Sequence, residues 1–312
     1  VQLQEWQEIF RLDFTALWPW LAQASRLREA RTGRAVTLCV IINAKSGHCP
    51  QDCAFCAQSR RSTAPITKYP LLSTAELVAA AERAADLGAA RFSIVTSGRG
   101  IMTAAEQETI LAAVAAIRRS TPLKVCVSLG IVSQDFLQAL AAAGVYRYHH
   151  NVETAASFFP EIATAHAYSD RLATIRRARE AGLAVCAGGI VGLGESVAQR
   201  YEMAQTLQEL EVDAIPLNFL QPIPGTPLAS RQPLSPLEAL QTIVAFRLFF
   251  PTKSLIIAGG RLGTLRSLAP LVFAAGADAL MTGDYLTTKG QLPAQDLQML
   301  ADLGLTAQRE EP

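Results

Sequence analysis

A chain of 312 residues, half of them apolar, can bury a full core, as one large α/β barrel or as two smaller domains. A formal net charge of +1 with both signs interspersed excludes the strongly basic footprint of a nucleic-acid or anionic-membrane binder. No apolar run is as long as a membrane span, and no signal-peptide pattern opens the chain.

Residues 1–33 read as helical, with Trp6, Ile9, Phe10, Leu12, Leu17, Trp18 and Leu21 set among many polar positions, the pattern of a cap or leader rather than of core. Val36 to Ile42 is short and β-branched and ends in Asn43, which predicts a buried strand. A loop follows directly, Gly47-His48-Cys49-Pro50-Gln51-Asp52-Cys53-Ala54-Phe55-Cys56-Ala57-Gln58. An alternation then sets in. Helix 74–87, with an N-cap at Ser73 or Thr74, precedes strand 91–96, and helix 105–120 precedes strand 124–128. Helix 134–143 precedes strand 145–149, helix 168–181 precedes 184–191, and helix 196–210 precedes 214–219. Helix 236–250 precedes strand 254–258, helix 265–275 precedes 279–282, and a last helix covers about 294–303. Gly88, Gly144, Gly182, Gly276 and Gly304 stand where helix C′ residues belong.

Eight strands, each followed by a helix and with no composition break, predict a parallel sheet in one domain over residues 1–312. The count suggests closure into a complete (β/α)8 barrel with residues 1–33 as a helical extension; an open doubly wound sheet is the alternative. In such a barrel chemistry gathers at the C-terminal ends of the strands, which is where the cysteine loop, Ser97-Gly98, Ser128, His149-His150-Asn151, Gly188 to Glu195, Asn218, Gly259-Gly260-Arg261 and Thr287-Thr288 fall.

Three thiolates on one short loop cannot all pair as disulfides, and they leave a tetrahedral metal one ligand short. That arithmetic suits a four-iron (4Fe-4S) cluster with three corners held by Cys49, Cys53 and Cys56 and one corner open. A zinc loop completed by His48, or three unrelated thiols, are the alternatives. The six cysteines lack the density of a disulfide scaffold, which indicates a reducing compartment and the expectation of a soluble cytoplasmic protein.

The spacing CxxxCxxC with Phe55 before the last cysteine resembles the signature of the radical S-adenosylmethionine (SAM) enzymes. In that superfamily the open iron takes the amino and carboxylate groups of SAM, and an electron cleaves it to methionine and a 5′-deoxyadenosyl radical. The match goes further. Cys49-Pro50-Gln51-Asp52-Cys53-Ala54-Phe55-Cys56-Ala57-Gln58-Ser59, Ser97-Gly98-Arg99-Gly100, the run from Tyr148 to Thr154, the run from Cys186 to Glu195, and Gly225-Thr226-Pro227-Leu228 together resemble the biotin synthase family, from about residue 25 onward.

The resemblance implies a SAM-dependent sulfur-inserting enzyme with a second, auxiliary cluster (2Fe-2S or a variant) deep in the barrel. It matches Cys126, Cys186 and Arg261 to that cluster's ligands, whereas Ser93 stands where the family has a third cysteine. A serine is a poor iron ligand beside a thiolate. Cys39, on the first strand, enters the same interior if its side chain points inward, and the expectation is a relocated ligand there; an ordinary buried strand cysteine is the alternative. For SAM the resemblance implies Phe55 near the adenine, Asn151 and Glu153 on the ribose hydroxyls and Arg171 facing the methionine carboxylate. Thr96, Ile190 and Val191 would line the nucleoside pocket.

For a dethiobiotin-like acceptor it implies Asn151 and Asn218 on the ureido ring and Thr287-Thr288 near the tail carboxylate, with His149 in place of a third asparagine. No side chain is expected to be catalytic in itself, because the radical forms on SAM. A small-molecule substrate, a reductant such as flavodoxin or ferredoxin, and a homodimer are the partners implied. Sulfur insertion into another acyl chain (a lipoyl-type product), carbon or cofactor-maturation chemistry without a sulfur donor, and a non-catalytic iron–sulfur carrier are the rival readings.

Overall fold

The computed structural model describes residues 1–101 and 103–308. Nine strands build one parallel wall: β1 (Ala35–Lys45), β2 (Arg91–Thr96), β3 (Lys124–Ser128), β4 (Arg147–His149), β5 (Ala184–Cys186), β6 (Gly189–Val191), β7 (Ala214–Phe219), β8 (Ser254–Ile257) and β9 (Ala279–Met281). Their order is β1-β2-β3-β4-β5-β7-β8-β9, β6 also pairs with β7, and β9 returns to β1. The sheet is therefore closed, as the eightfold alternation predicts, with β5 and β6 sharing one strand position. A tenth strand, β10 (Thr306–Gln308), pairs with the first residues of β1.

The helices are α1 (Leu3–Ile9), α2 (Phe14–Thr32), α3 (Thr74–Asp86), α4 (Ala104–Ser120), α5 (Gln134–Ala142), α6 (Phe159–Ile162), α7 (Tyr168–Glu180), α8 (Val197–Glu209), α9 (Pro236–Phe249), α10 (Arg261–Leu265) and α11 (Pro293–Asp302). Their starts are chemically defined. Ser73, Ser133, Ser196 and Ser235 each accept the amide N–H three residues on, satisfying a donor that the helix leaves free, worth about 1 kcal/mol apiece. None of the described helices is long and apolar enough to cross a membrane.

Strand alternation divides the wall's side chains into two sets. Leu38, Phe92, Ile94, Val125, Val127, Val185, Ile215, Leu217, Leu255, Ile257 and Leu280 face outward and form the main core with the helices. The opposite parity, Cys39, Ser93, Cys126, His149, Cys186, Ala214, Ile256 and Ala279, faces the barrel interior, where Cys186, Ala214, Ile256 and Ala279 pack as a separate cluster. The interior is thus small, polar on one side and apolar on the other.

Five segments differ from the sequence-based expectation. The N-terminal segment is core rather than leader: Trp6, Ile9, Leu17 and Ala24 are fully buried. Trp6 meets Tyr201, Phe246 and Phe249 edge-on and donates its indole N–H to the Val197 carbonyl at 3.1 Å. The strand expected over 184–191 is broken between Cys186 and Gly189 because Gly188 passes so close to β7 that a Cβ there would lie 2.0 Å from the Pro216 carbonyl oxygen. The helix expected over 265–275 is a 3₁₀ helix, Arg266–Val272, in which Pro270 has no N–H for an α-helical bond. The short α6 and β10 have no periodic signal of their own.

At the N-terminal end of the barrel one carboxylate gathers several elements. Asp278, just before β9, takes the Arg247 guanidinium of α9 at 2.7 Å and that of Arg31 of α2 at 2.8 Å. The same carboxylate accepts the Ser254 hydroxyl and the Leu255 amide of β8. Asp278 and Arg247 are both buried, so removing one charge strands the other in low dielectric. Asp278→Ala is expected to lower the unfolding free energy by about 3–5 kcal/mol in urea titration.

Candidate active site

The C-terminal ends of the strands open onto a cavity of about 400 Å³. Cys49, Cys53, Phe55 and Cys56 line its mouth. The loop that carries them is held from both sides. The Gly47 amide donates to Gln58 Oε1 at 2.8 Å, and the Ser97 hydroxyl donates to the Gly47 carbonyl at 2.7 Å. Asp52, inside the loop, accepts the backbone amides of Thr164 and Ala165 at 3.0 and 2.9 Å, together with the Thr164 hydroxyl. Burial would raise the Asp52 carboxyl, but these bonds and nearby Arg60 outweigh it and hold it at about 2. A tight turn carries the Cys56 amide onto the Cys53 carbonyl at 3.2 Å, and both cysteines line the cavity.

Burial pushes the Cys53 thiol up to about 12 and the Cys56 thiol up to about 11, and both feel Cys49. Three soft donors line one opening, a set that would hold a four-iron cluster by three of its irons. Their protons must leave when metal enters.

Behind the mouth stands a wall of polar groups. Glu153 has φ of 69°, a left-handed conformation uncommon for a residue with a side chain, and its carbonyl accepts the Ile190 amide at 2.8 Å. Gly189 permits that contact, since a Cβ there would lie 2.6 Å from the Glu153 oxygen. Arg171, 8% exposed, pairs with Glu153 at 3.2 Å, donates to the Asn151 carbonyl at 2.9 Å and donates from Nε to His166 Nε2 at 2.9 Å. Asn151 in turn accepts the Gly188 amide at 3.2 Å. Thr96, Asn151, Glu153, Arg171 and Ile190 all line the cavity. Val191 does not; it faces the outer core and is fully buried.

Deeper, Asn218, Tyr285, Thr287 and Thr288 line one side, and Ser93, His149 and Met281 lie at the level of the interior cysteines. Asn218 accepts the Gly259 amide at 2.9 Å and donates to the Gly189 carbonyl at 3.2 Å, so its amide orientation is set by backbone on both sides. Beneath this level Cys39, Cys126 and Cys186 share the barrel interior and lie within one another's electrostatic reach. Burial pushes the Cys126 thiol up to about 11 and the Cys186 thiol up to about 12, opposed by the positive fields of Arg147 and Arg91. The Ser93 hydroxyl reaches the Cys126 sulfur, its register partner on β3. The three thiols are a donor set of the kind iron–sulfur clusters take.

Arg261 stands just beyond its strand. Strand β8 ends at Ile257, Gly260 turns the chain at φ of 80°, and Arg261 is already the first residue of α10. Its guanidinium is fully buried against Asp296 of α11 at 2.8 Å, while its Nε and Nη1 have no hydrogen-bond partner among the described residues. A second arginine, Arg147, stands beside the interior thiols. Its signal in the sequence is parity: two residues before His149 on a barrel strand, it points to the same side.

Three histidines around the cavity are neutral. Burial, then Arg147 and Arg91, push His149 down to about 3; burial and Arg171 push His166 down to about 4 and His150 well below its usual value. An unfolded chain takes up these protons near pH 6.5, whereas the folded chain refuses them until lower pH. Stability is therefore fully present at pH 7 and is lost as pH falls from about 6.5 toward 4. The slope is expected to reach up to about 1.4 kcal/mol per pH unit for His150, and His150→Gln should flatten it in urea titrations of the metal-free chain between pH 7 and 5. A profile equal to that of the parent would contradict a neutral, buried His150.

Comparison with known proteins agrees with this geometry. Residues 44–207 match the Radical SAM superfamily, and residues 216–306 match the Biotin and Thiamin Synthesis associated domain. The chain is 50% identical over 289 residues to the biotin synthase of Trichlorobacter lovleyi, covering 93% of this chain and 87% of that one. It is 48% identical over 305 residues to the biotin synthase of Geobacter sulfurreducens, covering 98% and 93%. Among solved structures, methylornithine synthase superposes with a TM-score of 0.86 at 18% identity over 99% of this chain and 94% of that one. A maturase of the [FeFe]-hydrogenase superposes with a TM-score of 0.84 at 16% identity over 99% and 73%. At such identities these two share the fold alone. The relatives, close in sequence over nearly the whole length, decide the rest: the chain belongs to the biotin synthase family of the radical SAM superfamily.

Proposed function

We propose that this chain inserts sulfur into dethiobiotin to form biotin, as a radical SAM enzyme with two iron–sulfur clusters. The observation that carries the reading is the pair of cysteine triads in one barrel, Cys49, Cys53 and Cys56 at the mouth of the cavity and Cys39, Cys126 and Cys186 beneath its floor. When bound, the reduced four-iron cluster with SAM supplies a 5′-deoxyadenosyl radical, and the second cluster supplies sulfide.

The chain's own residues bind, orient and enclose. Phe55 packs by the adenine, and Asn151 and Glu153 take the ribose hydroxyls. Arg171 holds Glu153 in place and offers its cation to the methionine carboxylate; Thr96, Ile190 and the backbone at Val191 shape the nucleoside side. Asn151, Asn218 and His149 meet the ureido ring. His149, neutral across the physiological range, offers one donor and one acceptor without adding charge. Thr287 and Thr288 take the tail carboxylate. The closed wall excludes water, so a carbon radical between the two triads meets sulfur rather than solvent.

Residues 1–312 act as one barrel domain in this reading, because the two matched segments contribute adjoining strands to a single closed wall. All six cysteines are unpaired thiols, which supports a reducing cytoplasm, with electrons from a flavodoxin- or ferredoxin-type donor. The homodimer rests on the family resemblance. The presence of His149 favours one second reading, the same chemistry on another acyl chain.

Anaerobically reconstituted protein given SAM, reductant and dethiobiotin is expected to yield 5′-deoxyadenosine and biotin. Cys49→Ala should abolish both products. Cys39→Ala should keep deoxyadenosine formation yet lose biotin and the second cluster's Mössbauer signal. A single four-iron cluster in both parent and Cys39→Ala would sink the sulfur-donor reading. Glu153→Ala should weaken SAM binding by about tenfold or more in calorimetry, the loss of a charge-assisted hydrogen bond to the ribose.

A further inference from the structure

The interior of the barrel holds a cation that the reading above does not use. On β4, Arg147 and His149 face inward while Tyr148 packs outward. Arg147 is the register partner of Cys126 on one side and of Ala184, two residues before Cys186, on the other. Its guanidinium is 4% exposed and stands in the fields of Cys186, Cys126 and Cys39 together. Its Cζ lies over the Tyr146 ring at 5.1 Å, but Nε and Nη1 are buried with no hydrogen-bond partner among the described residues. An unsatisfied buried guanidinium is costly, and such groups are normally paired with an anion. The opposite wall is apolar at this level, with Ile256 and Ala279.

We propose that Arg147 is the counter-cation and hydrogen-bond donor of the cluster held by Cys39, Cys126 and Cys186, a proposal that rests on those thiols holding one. The charge balance supports it. A core of two ferric ions and two sulfides carries two positive charges, and three thiolates leave one negative charge net; one guanidinium neutralises it. The free Nε–H and Nη1–H are donors of the kind that thiolate and sulfide sulfur accept, and such bonds with positive charge raise a cluster's reduction potential. Arg91, on the same inner face, adds a second positive field at Cys126 and Cys186. Arg147 is thus a tuning and positioning group for the sulfide donor and not a participant in SAM cleavage.

The test is an EPR-monitored redox titration of the reconstituted holoprotein with iron and sulfide counts, comparing the parent with Arg147→Gln, Arg147→Met and Arg147→Lys. The methionine variant keeps the volume of the stem where a buried amide is not tolerated. Loss of the charge in Gln or Met should shift the second cluster's potential negative, changing the oxidised-to-reduced ratio at fixed potential at least tenfold, about 59 mV for one electron. Failure to load that cluster, with the first cluster intact, would be the stronger form of the same result, and Lys should restore loading. The first cluster's potential and SAM cleavage should stay at parental values in every variant, which a global folding defect would not allow. A second cluster with parental potential and parental sulfide content in Gln or Met overturns the proposal and leaves the sulfur-donor reading standing. Absence of a second cluster from the parent itself overturns both.

Discussion

Closure of a parallel sheet is the constraint on which the rest depends. Once β9 pairs with β1 there is no free edge, and each inward side chain must be satisfied inside a narrow space shared by eight strand positions. Outward residues face no such demand, because helices cover them with a continuous apolar core. The interior is therefore where unusual chemistry becomes visible as unusual burial. Three thiols, two arginines and a neutral histidine occupy one side of it, and alanines and an isoleucine the other. A barrel kept only for stability would fill these layers with branched apolar side chains.

The mouth obeys a different rule, that of a loop made rigid by hydrogen bonds to its neighbours. Asp52 sits among the cysteines yet bonds to residues 164–165, so the ligand loop is fixed relative to the segment leading into α7. The same helix delivers Arg171, which joins Asn151 and Glu153 from the end of β4. The left-handed backbone at Glu153 and the two glycines after Cys186 belong to this arrangement, since each allows a close backbone approach that a side chain would block. A metal loop and a polar wall from distant parts of the chain thus come to share one cavity without either being flexible.

Much of this was legible in the residues. The cysteine spacing put three thiols on one loop, serine caps and C′ glycines marked helix ends, and the alternation of strand and helix predicted the barrel. The misreadings are equally physical. The amphipathic N-terminal segment looked like a leader because its apolar residues are sparse, yet Trp6 alone contacts three aromatic rings from α8 and α9. Residues 265–275 carried a helical pattern, but Pro270 allowed only the tighter 3₁₀ form.

By itself the sequence determined what is local: which three thiols share one loop, which stretches are strands or helices, and hence the barrel class. Ligand spacing and side-chain periodicity act over a few residues, so they survive without coordinates. Only the tertiary structure decided what depends on register and closure. Cys39, Cys126 and Cys186 come from β1, β3 and β5, and their convergence follows from inward parity at matching levels of a closed wall. The same registers put Arg147 beside them. A one-residue slip on a strand would exchange the interior for the outer core, and pairing between strands far apart in the chain is what forbids that slip.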